Sequence, residues 1–83
     1  MEILGKILGN PARVKIMRLF LLNRSKGFRN KDIINRSRVS SDAVRKEIKL
    51  LASVGFIKKR GKFSLEWYFD SSFKYAGEFE DLL

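Results

Sequence analysis

Apolar and polar positions follow a helical period over most of this chain and a period of two over one short stretch near its end. Ile3, Leu4, Ile7 and Leu8 make a short apolar stripe that predicts an N-terminal helix over residues 1–9, closed by Gly9. Asn10-Pro11 restarts the chain as a helix, because asparagine caps well and proline fits the first helical position. This second helix is expected from Pro11 to about Leu22, ending at Asn23. Its apolar residues (Val14, Ile16, Met17, Leu19, Phe20, Leu21 and Leu22) cover most of the circumference, which predicts burial on more than one side. Ser25-Lys26-Gly27 breaks the pattern, and Phe28 fits a short edge strand.

Asn30 is the expected cap of a helix through about Ser37, with Asp32 in its first turn and Ile33 and Ile34 on its buried face. Arg38-Val39 makes a tight connection. Ser40 then caps a further helix whose first turn is Ser41, Asp42 and Ala43 and which Gly55 closes. From Phe56 the period becomes two. Phe56-Ile57 opens one strand and Gly61-Lys62 is a turn. Phe63, Leu65, Trp67 and Phe69 then alternate with polar neighbours and are expected to face the core. Beyond Ser71, Tyr75, Phe79 and Leu82 return to helical spacing, so a C-terminal helix is expected over 71–83. Gly77 weakens it.

Eighty-three residues suit one domain, with 45% hydrophobic residues to build a core and no cysteine to reinforce it. No apolar run reaches the roughly 20 residues of a membrane span, and residues 1–10 lack the pattern of a secretory signal. A cytoplasmic, nucleoid-associated location is the expectation, in keeping with the absence of cysteine. Charge changes the picture more. The net charge is +9, and it is unevenly spread: residues 1–62 hold seventeen basic and four acidic side chains, a net of +13, whereas residues 63–83 hold one and five, a net of −4. A basic body points to a polyanionic partner, although a solvated basic surface produces the same composition.

Position sharpens this. On a wheel of about 100° per residue, Val44, Ile48 and Leu51 share one arc of the Ser40–Val54 segment, while Asp42, Arg45, Lys46, Lys49 and Ser53 fall opposite. Three cations on the outer face of a serine-capped helix suit the major groove of a duplex, where Arg and Lys reach guanine edges or phosphates. Asp42 in the first turn favours the helix dipole, or can accept from cytosine. A few residues later Lys58, Lys59, Arg60 and Lys62 surround the hairpin turn, where they suit a phosphate backbone or the minor groove. Edge-strand lysines also guard against aggregation.

The segments ILGNPARVKIMRLF and VSSDAVRKEIKLLASVGFIKKRGK resemble the winged helix-turn-helix of ArsR-type and related bacterial and archaeal regulators, over about residues 2–70. Leu8-Gly9-Asn10-Pro11-Ala12-Arg13 is similar to that family's Leu-Gly-x-Pro-x-Arg segment. Ser40, Val44, Lys49-Leu50-Leu51 and Gly55-Phe56-Ile57 follow its recognition helix in order. The resemblance implies an α+β, mainly α fold: a three-helix core over 10–55, a β-hairpin wing over 56–70, and short N-terminal and C-terminal helices. It implies base reading by Ser41, Asp42, Arg45 and Lys46, next to the Ser40 cap, with Lys49 nearer the backbone. It departs from the metal-sensing members, since this chain has neither Cys nor His. No metal and no cofactor is therefore expected.

The expected partner is double-stranded DNA, bound by a homodimer joined through the terminal helices, and no membrane. Without His or Cys, acid–base or nucleophilic chemistry would fall to Ser, Lys, Tyr or the nine carboxylates, four of which lie within Asp70–Asp81. Gly5-x-x-x-Gly9 lacks the strand and the Gly-Lys-Ser/Thr of a phosphate loop. No enzyme is expected. Trp67 and the phenylalanines, at alternating strand positions, are expected in the core; Tyr68 is the aromatic expected to be open to nucleic acid. The alternatives are a protein–protein adaptor, the DNA-binding module of a larger protein, and a binder of structured RNA or of duplexes without discrimination.

Overall fold

A computed structural model describes residues 9–61 and 65–73 as a small, mainly helical α+β unit. Three helices, α1 (Pro11–Leu22), α2 (Asn30–Ser37) and α3 (Ser41–Ser53), precede a two-stranded antiparallel hairpin of β1 (Ile57–Arg60) and β2 (Glu66–Phe69). The predicted terminal helices fall on or run into residues outside those described. Ser71 and Ser72 form a turn.

Helix α1 starts where its sequence dictates. The Asn10 side chain accepts the Arg13 amide at 3.1 Å, and Pro11 gives up only an amide with no intrahelical partner. At the far end, Asn23 donates its side-chain amide to the Leu19 carbonyl at 2.8 Å. Ile16, Met17 and Phe20 are buried, and Leu19 and Leu21 are partly buried against the core. Leu22, expected to be covered, is 76% exposed.

The cap of α2 lies one residue earlier than the sequence suggests. Arg29 occupies it, and the Asp32 carboxylate accepts the Arg29 amide at 3.1 Å. Asn30 is instead the first helical residue, and its side-chain oxygen accepts a hydrogen bond from the Trp67 indole at 3.1 Å. Of its two isoleucines, Ile33 is buried and Ile34 half-buried.

Three residues join α2 to α3. Arg38 takes the left-handed conformation at φ 58°, which costs a non-glycine residue roughly 1–2 kcal/mol. Two contacts hold it there. Its amide donates to the Ile34 carbonyl at 3.0 Å, and Val39, next in sequence, is buried in the core. Ser40 then caps α3 by accepting the Ala43 amide at 3.3 Å. The helix ends in a Schellman turn: the Phe56 amide reaches the Leu51 carbonyl at 2.9 Å and the Gly55 amide reaches Ala52 at 3.2 Å. Gly55 makes this turn at φ 82°, which no residue with a Cβ adopts cheaply.

Hairpin register follows Ile57↔Phe69, Lys58↔Tyr68, Lys59↔Trp67 and Arg60↔Glu66. Ile57 and Phe69 therefore share one face and close the core. Phe28 pairs with β2 on its other edge, exchanging both backbone hydrogen bonds with Trp67 at 2.9 and 2.8 Å. The core is rich in edge-to-face rings, with Phe20 on Phe28 at 5.4 Å, and Phe56 between Phe69 at 5.3 Å and Phe73 at 5.0 Å. Each such pair adds about 0.5–1.5 kcal/mol beyond its buried area. Leu65 departs from the expected alternation: it precedes the first paired residue of β2 and is 54% exposed, beyond the reach of the core. Phe63 lies outside the described residues.

Candidate functional site

Val44, Ile48 and Leu51 are buried, as the wheel requires, and fix the rotation of α3. That rotation leaves Ser41, Asp42, Arg45, Lys46, Lys49 and Ser53 exposed, with Ser40 at the cap also exposed. A second tie sets the helix against α1. The Glu47 side chain, 3% exposed, accepts from the Arg13 guanidinium at 2.5 Å (Nε) and 3.3 Å (Nη2), and from the Asn10 amide at 3.3 Å. Asn10 thus caps α1 and holds α3 in the same stroke. Sequence reading overlooked Glu47. The signal was present on the wheel, where Glu47 lies about 60° from Val44, beside the buried arc and away from the cations.

The hairpin sorts its cations onto two faces, because successive side chains of a strand point to opposite sides. Lys59 shares a face with Trp67, directly opposite it in the register. Both backbone groups of Trp67 are spent on Phe28, so Lys59 and Trp67 form a non-hydrogen-bonded pair, the closer of the two cross-strand geometries. The Lys59 ammonium sits over the indole, 5.0 Å from its centroid. Lys58 and Arg60 lie on the opposite face. The Lys58 ammonium is 4.0 Å from Asp70 Oδ1, and the Arg60 guanidinium is over the Tyr68 ring at 5.4 Å. The expected cluster of four cations around the turn is therefore divided: Lys58 belongs to the base of the hairpin, and Lys62 lies outside the described residues. Tyr68 also packs so closely on Gly27 that a Cβ there would fall on its ring, which leaves it less open than expected.

Between α3 and β2 these choices leave an open cleft of about 490 Å³ lined by Asn30, Arg45, Lys46, Ile48, Lys49 and Trp67. Trp67 is half-buried rather than a full core residue. One part of its surface supports the core while another faces the cationic side of α3. Sequence reasoning placed it in the core because strand alternation reports which face a side chain takes, not how far the core extends along the strand. A smaller cleft of about 280 Å³, on the Lys58 side of the hairpin, is bounded by Arg24, Lys58, Arg60 and Tyr68.

The carboxylates do not gather. Among the described residues no group of three or more acids comes together. Asp70 is held as the carboxylate: hydrogen bonds from the Ser72 hydroxyl at 2.6 Å and amide at 3.0 Å, assisted by Lys58 and Arg60, lower its pKa from the ordinary value. No helix among the described residues is long and apolar enough to cross a membrane. No protein-family model matches the chain, and no curated protein matches it.

Proposed function

We propose that this chain is a winged helix-turn-helix regulator that binds duplex DNA, with α3 in the major groove and the hairpin as a wing on the backbone or in the minor groove. The observation that carries this reading is the set of Arg45, Lys46 and Lys49 of α3 along one exposed cleft, whose Trp67 wall carries Lys59 of β1 over its ring. Three cations along one opening, with a fourth on the adjoining hairpin, make a strong positive field, and a duplex supplies the matching row of phosphates. The three-residue turn between α2 and α3 and the hairpin that follows supply the expected order of support, reader and clamp. In this reading Ser41, Asp42, Arg45 and Lys46 meet base edges, while Lys49 and Lys59 meet phosphates. The protein binds without catalysing a reaction.

The reading includes a homodimer, since two-fold pairing places recognition helices in successive major grooves about 34 Å apart. The exposed Leu22 at the end of α1 supplies apolar surface for such contact. Fluorescence anisotropy with a labelled random-sequence duplex across a salt series tests the binding. Affinity falling steeply with salt, followed by enrichment of a defined site on selection, is the expected result. No binding at low salt removes the reading in favour of a protein–protein adaptor. Equal binding to every duplex and to structured RNA removes the sequence-specific part. A strict monomer at high micromolar concentration removes the dimer.

A further inference from the structure

The cleft beside α3 differs from an ordinary phosphate-binding surface in having an aromatic wall. Phosphate recognition needs cations and donors, and Arg45, Lys46 and Lys49 supply them. It has no use for an indole. Yet Trp67 is held at the cleft by three constraints: its backbone bonds to Phe28, its Nε1–H donates to Asn30, and Lys59 lies over its ring. With the polar edge of the indole already satisfied, the ring offers only its apolar surface to a ligand, and Ile48 adds to the apolar floor. A planar apolar surface rimmed by cations matches a nucleotide, with the base on the ring and the phosphates on the rim.

A base inside a duplex has both faces covered by its neighbours, so a ring can stack only on a base outside that stack. We infer that the cleft is a subsite for an unpaired nucleobase, on a single-stranded flank or extruded from the duplex, stacked on Trp67. Lys59 is exposed on a flexible stem. The base takes its place over the indole, and the released ammonium moves to the neighbouring phosphate. The inference rests on the nucleic-acid reading and adds a preference for duplexes that carry an unpaired nucleotide.

Trp67 is the only tryptophan in the chain, so its emission reports on the cleft directly. The full chain is titrated with three labelled oligonucleotides: a blunt duplex, the same duplex with a short oligothymidine overhang, and the overhang strand alone. Anisotropy reads binding and tryptophan emission reads stacking. The overhung duplex is expected to bind on the order of 10-fold tighter than the blunt one and to quench the emission. Trp67→Leu is expected to bring that ratio close to one, and Trp67→Phe, which keeps a ring and guards against a folding defect in the first variant, to retain part of it. Blunt and overhung duplexes bound equally, with unchanged emission, would overturn the inference while leaving the nucleic-acid reading intact. So would an overhang advantage that survives in Trp67→Leu. Failure of all three oligonucleotides to bind would remove both.

Discussion

Helix α3 carries charge on two sides, and the two sides behave differently. On one, Glu47 is buried and takes three hydrogen bonds from Arg13 and Asn10, so that its charge locks α3 to the start of α1. On the other, Arg45, Lys46 and Lys49 are exposed along an open cleft. Burial with fixed partners turns a charge into part of the scaffold, since removing one partner strands the other in a poorly solvated site. Exposure leaves the long cationic side chains able to rearrange on a polyanion. The helical wheel sets the three cations opposite the buried arc, and packing encloses Glu47 beside that arc.

The largest effect that can break this contrast is expected at Glu47. Glu47→Ala takes the Glu47 carboxylate away from the Arg13 guanidinium and the Asn10 amide and should lower stability by about 3 kcal/mol in urea unfolding, near the lower end for broken buried pairs because Arg13 retains some exposure. Replacing Arg13 and Glu47 together by leucines should recover much of that loss, because the two residues act as one unit. Costs that simply add would show that the pair contributes nothing as a pair. Next in size is Arg45→Ala, expected to weaken binding at a cognate site by about 1–3 kcal/mol and to relax base preference, with little change in stability. Lys59→Ala should weaken all sequences alike.

Lys58 sharpens the comparison within the hairpin. Its side chain lies on the face away from the cleft and near Asp70, so Lys58→Ala should cost less affinity than Lys59→Ala in the same titration. Equal losses would show that both faces of the hairpin meet the ligand. The smallest effect is the acid response of Asp70. Its folded pKa lies below the ordinary value of 3.8, chiefly through the Ser72 hydrogen bonds. A depressed carboxylate pKa contributes stability that is present above the unfolded value and is lost as pH falls through the folded one. Unfolding followed from neutral pH to acid should therefore show a steeper decline for the natural protein than for Asp70→Asn below about pH 4. Parallel curves would show that the Ser72 contact does not bear on folding.

Helix boundaries were legible wherever a cap residue stood alone in its role, as at Asn10, Ser40 and Gly55. They slipped at Asn30, whose side chain accepts from the Trp67 indole, 37 residues away, instead of capping α2. Periodicity found the outer face of α3 because a helix turns at a fixed angle per residue. It could not find that Glu47 meets Arg13, a contact across 34 positions, nor that Trp67 reaches past the core. Strand alternation likewise gave the faces of the hairpin without saying where the core stops, which is why Leu65 is exposed.

The most direct test of the division between buried and open charge compares the salt dependence of duplex binding for the natural chain with that of Arg45→Gln/Lys46→Gln/Lys49→Gln. Circular dichroism and urea unfolding serve as controls for the fold. Each neutralised phosphate contributes about 0.9 to the slope of log affinity against log salt, so the triple variant should remain folded, lose about 1 from that slope through Lys49, and lose affinity at every salt concentration through Arg45 and Lys46. An unchanged slope and affinity would contradict the account, placing the polyanion elsewhere on this basic surface or nowhere on it.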